Sequence, residues 1–91
     1  MSVSVRIPTI LRTYTNGIAE VAANGSTLRE VLVDLDAHHP GISARVLDDS
    51  GELRRFVNVY INDDDVRFLA GPDTPTPESS NISIIPAVAG G

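Results

Sequence analysis

Thr27-Leu28-Arg29-Glu30-Val31-Leu32-Val33-Asp34-Leu35-Asp36-Ala37-His38 is the segment on which the fold turns. Leu28, Val31, Leu32 and Leu35 follow the i, i+3, i+4, i+7 spacing that places four side chains on one helical face. Thr27 and Glu30 match a capping box, in which each satisfies a backbone N–H at the helix start. Pro40-Gly41 stops the pattern, so the spacing predicts a helix over 27–38. A single helix with a single apolar stripe has to cover a single sheet.

The flanks supply that sheet. Val3, Val5 and Ile7 alternate with Ser2, Ser4 and Arg6, the period of a half-buried strand. Pro8 ends the alternation, Asn16-Gly17 marks a turn, and Ile18 to Ala23 reads as a second strand before a turn at Asn24-Gly25. The two strands form an antiparallel hairpin with a long, irregular connection. Beyond the helix, Ile42 to Leu47 has room for one helical turn and Asp48 to Gly51 is a loop. Phe56 to Ile61 is the strongest strand, with Val57, Val59 and Ile61 on one face and Phe56, Asn58 and Tyr60 on the other. Asn62 to Asp65 turns the chain, Val66 to Leu69 reads as a weak strand, and 71–81 reads as a loop. Ile82, Ile84 and Ile85 make the last strand. The expected architecture is α+β, a mixed sheet of four to five strands packed on one main helix, in the strand order of the ubiquitin-like β-grasp.

Composition removes several chemistries. The chain has 91 residues, seven basic against twelve acidic, for a net charge of −5, and all seven basic residues are Arg. It has neither Lys nor Cys, which excludes a Schiff-base amine, a side-chain thiolate nucleophile, a disulfide and a thiolate zinc site. An acidic chain without a basic run is poorly suited to nucleic acid. No apolar run approaches the ~20 residues of a membrane span. Met1 to Ile7 lacks the apolar core of a signal peptide, and Ser2 is not the Gly that myristoylation needs. The expectation is a cytoplasmic protein that binds no nucleic acid and no membrane.

The C-terminal segment Ile84-Ile85-Pro86-Ala87-Val88-Ala89-Gly90-Gly91 is the informative one. Pro86 has no N–H for a ladder, so pairing should end there, dividing the chain into a β-grasp domain (1–86) and an extended tail (87–91). Pro86 to Gly91, fully extended, would reach about 20 Å, at ~3.3–3.6 Å per residue. A Gly-Gly ending by itself reads as a frayed terminus. Running straight out of the last strand on this topology, it reads as a thread that carries the Gly91 carboxylate into another protein's active site. Glycine suits that task because a Cβ would hinder passage through a narrow channel and crowd attack on the last carbonyl.

The topology and this ending resemble the prokaryotic sulfur carriers of the ThiS/MoaD family. Within the family, the chain resembles in particular the carriers that serve cysteine biosynthesis. Ile7-Pro8-Thr9-Ile10-Leu11-Arg12, Phe56-Val57-Asn58-Val59-Tyr60-Ile61-Asn62-Asp63 and Pro86-Ala87-Val88-Ala89-Gly90-Gly91 carry that likeness. Glu78-Ser79-Ser80-Asn81 departs from it, since such proteins often have an Asp-Gly-Asp turn there. The resemblance implies that an ATP-dependent activating enzyme adenylates Gly91 and that a sulfur donor then displaces AMP, leaving a thiocarboxylate. It implies partners of two further kinds: a pyridoxal-phosphate-dependent cysteine synthase or another sulfur-accepting enzyme, and a metalloprotease that releases the product. It implies no permanently bound cofactor and no catalytic residue in this chain, which is a co-substrate rather than an enzyme. Gly90, Ala89, Val88 and Ala87 would thread the partner's channel. Two alternatives share the tail: a small subunit of molybdopterin synthase, and a ubiquitin-like modifier, whose lysine-linked self-chains the absence of Lys excludes.

Three further features bear on the site. With Val57, Val59 and Ile61 against the helix, Phe56 and Tyr60 face outward, and Ile85 shares that side, so Phe56, Tyr60 and Ile85 form a candidate docking patch. His38-His39 reads as a helix C-terminus rather than a metal site, because adjacent helical residues point about 100° apart. Asn62-Asp63-Asp64-Asp65 reads as a turn, lacking the Gly and distal Glu of a calcium loop.

Overall fold

The computed structural model describes residues 2–55 and 57–86. Five strands form one sheet in the order β2-β1-β5-β3-β4. They are β1 (Ser2–Arg6), β2 (Glu20–Asn24), β3 (Val57–Ile61), β4 (Asp64–Asp65) and β5 (Asn81–Pro86). β1 and β2 are antiparallel with Val5 opposite Val21, while β5 runs parallel to β1 and antiparallel to β3. The long helix α1 (Leu28–His38) and a short α2 (Ser43–Val46) lie on one side of this sheet. The architecture is the α+β, ubiquitin-like arrangement that the element order predicts.

Alternation sorts the two faces. Val3, Val5, Val57, Val59, Ile61, Ile82 and Ile84 turn inward and are buried with Leu28, Val31, Leu32 and Leu35 of α1. The helix start is capped as the Thr27/Glu30 pair requires, with one displacement. The Thr27 Oγ1 accepts the Glu30 N–H at 3.3 Å, while the Glu30 carboxylate accepts the N–H of Ser26, one residue before the cap, at 2.9 Å. At the other end, Asp36 accepts backbone N–H bonds from Ser43 at 3.2 Å and Gly41 at 2.9 Å. These bonds to the ionised form, that of Ser43 foremost, hold the carboxyl below the usual range against an opposing effect of burial. They also fix where α2 starts, and with it the position of Arg45.

Four segments differ from the sequence expectation. The hairpin connection contains a 3-10 helix over Thr9–Thr15, closed by Asn16 in the left-handed region at φ 55°. Thr15, fully buried, donates its hydroxyl to the Ile18 carbonyl at 2.8 Å, and β2 starts only at Glu20. Val66 to Leu69 is not a strand. The fourth strand is Asp64–Asp65, and Val66–Phe68 is a 3-10 turn capped by Asp65, whose Oδ1 accepts the Arg67 N–H at 2.9 Å. Only Val66 of that turn is buried, so a period of two has nothing to act on.

The 71–81 segment contains a 3-10 turn at Gly71–Asp73 and is stapled to the start of α1. Leu28 N–H donates to the Thr74 carbonyl at 3.0 Å, and the Thr76 hydroxyl donates to the Gly25 carbonyl at 2.9 Å. Gly25 has no room for a side chain there, since a Cβ would lie 2.5 Å from the Val31 nitrogen. Finally, pairing in β5 includes Pro86, which stands opposite Val57 at the strand's end, where a missing N–H is tolerated.

Candidate functional site

The site is assembled around β5, the central strand of the sheet, between β1 and β3. Its first half pairs on both sides, with Asn81, Ile82 and Ser83 opposite Ser4, Val5 and Arg6 of β1, and with Ile82 and Ser83 opposite Ile61 and Tyr60 of β3. Its second half, Ile84 to Pro86, has register partners on β3 alone. The strand thus points its C-terminal end away from its best-anchored part. The expected thread, Ala87, Val88, Ala89, Gly90 and Gly91, begins at that end and lies outside the described residues.

Of the three patch residues, the structure brings two together. Asn58 faces Ile85 and Tyr60 faces Ser83 in the register, so Tyr60 and Ile85 are diagonal neighbours on the outer face of the sheet. Ile85 is 47% exposed and Tyr60 is half-buried. Phe56 lies outside the described residues. The surrounding outer face is polar, contributed by Ser4, Arg6, Ser83 and Asn58, so the apolar spot is small and isolated beside the strand's exit.

Beside the exit, on the inner side, lies a hollow of about 300 Å³ lined by Ile10, Leu11, Tyr14, Arg45, Ile84 and Pro86, among others. Arg45 stands over the Tyr14 ring, 5.8 Å from its centre, and donates from Nε to the Tyr14 Oη at 2.7 Å. An aromatic face and a hydroxyl together hold this guanidinium at the mouth of the hollow.

The two decoys resolve into local structure. His38 Nδ1 lies 2.9 Å from the Asp34 carbonyl oxygen, and His39 Nδ1 lies 3.2 Å from the Tyr14 carbonyl oxygen, so the two rings serve different partners. In Asn62-Asp63-Asp64-Asp65, Asn62 takes a left-handed φ of 57° and starts the β3–β4 turn. Its Oδ1 accepts the Asn81 N–H at 3.1 Å. Its own N–H donates to the Asn81 carbonyl at 2.6 Å.

Sequence reasoning missed one exposed aromatic. Phe68 is 86% exposed and Leu69 is 53% exposed, both hidden by the assignment of a strand there. Asp65 followed by a short apolar segment is the cap signal that could have found the turn.

With this geometry in view, comparison with known proteins is specific. The ThiS family model matches residues 5–91. The chain is 52% identical over 93 residues to the sulfur carrier protein CysO of Mycobacterium tuberculosis, with 100% of both chains covered. Its structure is similar to the crystal structure of Mycobacterium tuberculosis CysO, at TM-score 0.91 and 50% identity, covering 94% of this chain and 99% of that one. It is also similar to a chain in the crystal structure of the Amycolatopsis orientalis BexX/CysO complex, at TM-score 0.92 and 47% identity, covering 98% of this chain and 99% of that one. The strand that ends at Pro86, the polar outer face and the full-length match agree, and the chain belongs to the ThiS family.

Proposed function

We propose that this chain carries sulfur on its C-terminus for cysteine biosynthesis or a related sulfur-incorporation pathway. The observation that carries the reading is the full-length likeness to the mycobacterial sulfur carrier, joined to a last strand that delivers Pro86 to the edge of the fold. Residues 1–86 act as the body and 87–91 as the tail. A terminal carboxylate, with an ordinary pKa of ~3.3–3.7, is an anion at neutral pH and a poor electrophile. An ATP-dependent partner therefore has to activate Gly91: a carboxylate oxygen attacks the α-phosphorus of ATP and pyrophosphate leaves. A sulfide-level donor then displaces AMP and leaves the thiocarboxylate. A persulfide donor needs one more thiol to cleave its S–S bond.

Gly90, Ala89, Val88 and Ala87 thread the partner's channel, and Phe56, Tyr60 and Ile85 meet its surface. The chain supplies no catalytic residue. Its decisive group is the sulfur at Gly91, which attacks an acceptor held by a sulfur-accepting enzyme such as a pyridoxal-phosphate-dependent cysteine synthase, leaving the product joined to the Gly91 acyl group. A metalloprotease then hydrolyses that link, releasing product and restoring the Gly91 carboxylate. A similar chain crystallised in a BexX/CysO complex supports docking of such a body onto a partner protein.

Intact mass of the protein, incubated with ATP, the host's activating enzyme and a sulfur donor, tests this. The expected change is one oxygen replaced by sulfur, localised to Gly91, and absent when Gly91 is deleted. No mass change, or a change that survives the deletion, overturns the reading.

A further inference from the structure

The arginines of this acidic chain are unevenly placed. Arg45, Arg54, Arg55 and Arg67 are all exposed. Arg45 lines the hollow beside Pro86, and Arg54 and Arg55 line a second hollow of about 320 Å³. Val57 lines both hollows, and Val57 stands opposite Pro86 in the sheet. Arg45 thus lines the hollow at Pro86 itself, and Arg54 and Arg55 line the one that shares its facing residue, Val57.

Hydrogen bonds hold this arrangement in place. The Arg67 guanidinium donates from Nη1 to the Asn58 Oδ1 and from Nη2 to the main-chain carbonyls of Arg54 and Arg55, tying the loop before β3 to the turn after β4. Arg54 donates from Nε to the Ala44 carbonyl at 2.7 Å, as Arg45 does to Tyr14. In both cases the inner nitrogen is the anchored one, which leaves the outer fork for a further acceptor.

Among the described residues none of the four has a carboxylate within 4.0 Å, whereas Arg29 pairs with Asp73 at 3.2 Å. Asp48 shares the second hollow, but its Oδ1 already accepts the N–H groups of Ser50 and Glu52 at 2.8 and 3.1 Å. An outward guanidinium fork matches a carboxylate in two parallel hydrogen bonds.

We infer that the arginines around the exit of β5 receive a carboxylate-lined rim on the protein that takes the tail, steering entry of the thread. The inference rests on the carrier reading above and adds the chemistry of the partner's surface. The chain as a whole is acidic, at net charge −5, and would repel such a rim over most of its surface, so the arginines also select the approach.

The test is pyrophosphate exchange by the host's activating enzyme with the full chain as substrate. Arg54→Gln/Arg55→Gln is compared with Asn16→Asp/Ala37→Glu, which changes net charge equally at exposed positions that line neither hollow. The arginine variant should raise KM about ten-fold at low salt with kcat unchanged, a usual size for lost steering. The gap should close towards 1 M salt, where the screening length falls to about 3 Å. The charge control should stay near wild type, and both variants should keep the wild-type melting temperature.

Equal KM in the two variants overturns the inference while leaving the carrier reading intact, because exchange still occurs. Absence of exchange with wild type overturns both. Two other occupants would overturn it as well. One is the chain's own terminus, revealed by shifts of the Arg45, Arg54 and Arg55 guanidinium resonances in the isolated protein on deletion of 87–91. The other is a second copy, revealed by self-association that the arginine variant abolishes.

Discussion

The two ends of β5 are built on opposite principles. At its start, Ser79 N–H donates to the Ser2 carbonyl at 2.9 Å, Ser4 N–H donates to the Ser80 carbonyl at 3.0 Å, and Asn81 exchanges bonds with both the backbone and side chain of Asn62. Ser80 is buried and donates its hydroxyl to the Pro77 carbonyl. At its finish, β1 has dropped away, Ile85 is 47% exposed, a hollow of about 300 Å³ borders Pro86, and a second of about 320 Å³ borders the facing Val57. One end spends its polar groups within the molecule and the other presents an apolar spot and guanidinium forks to its surroundings. The carrier proposed above needs both, since whatever follows Pro86 can be aimed only if the strand behind it is fixed.

Substitutions can break or sharpen this contrast. Ile82→Ala strikes the anchored half, where Ile82 is 1% exposed between Val5 and Ile61. It should cost about 2–5 kcal/mol, with the loss of a large buried side chain. Thermal unfolding should show a melting temperature lower by roughly 10–40 °C. Ile85→Asp strikes the exposed half. Its expected signature is reversed: stability changes by less than about 1 kcal/mol, while activation of Gly91 falls about ten-fold, as for truncating an interface anchor. Chemical denaturation and pyrophosphate exchange on the same preparation separate the two.

Ser79→Gly sharpens the anchor. Ser79 holds a φ of 71°, a left-handed conformation that a Cβ disfavours. The glycine variant should gain about 0.5 kcal/mol, read as a higher denaturant midpoint.

The smallest effect concerns acid. Asp36 has its folded pKa held below the unfolded one, so its bonds to Ser43 and Gly41 contribute fully above the unfolded value, near ~3.9. The contribution fades as pH falls through the depressed folded value. Asp36→Asn should therefore lower the melting temperature slightly at neutral pH and lose that difference at the acid end of a pH series.

Legibility in the sequence followed the range of the interactions. The α1 face, its Thr27 cap and the alternation of Val3–Ile7, Val57–Ile61 and Ile82–Ile84 rest on neighbours within a turn or a strand, and all were readable. The 71–80 segment was not, because the buried Thr76 hydroxyl finds its acceptor at Gly25, 51 residues earlier. Its polarity suggested a solvated loop, and only the folded chain shows the hydroxyl inside. The arginine surround was hidden for the same reason. Arg45, Arg54, Arg55 and Arg67 are spread over three segments; Arg54 and Arg67 reach carbonyls of the main chain, which carry no residue identity, and Arg45 is held by Tyr14, 31 residues earlier. Tyr60 and Ile85 were placed on one face by counting periods of two, and that count needed no knowledge of the register.

The register of β5 also determines how the body bears load. A partner drawing on the tail pulls along the strand axis, because Pro86 is still in line with Val57 when the strand ends. The bonds to β3 run across that direction, as in any antiparallel pair. Tension is therefore shared among the rungs from Pro86 back to Ile82 rather than opening them one after another. Pulled along that axis from Pro86, the molecule resists as a lap joint does, and the fold behind the strand's end stays closed.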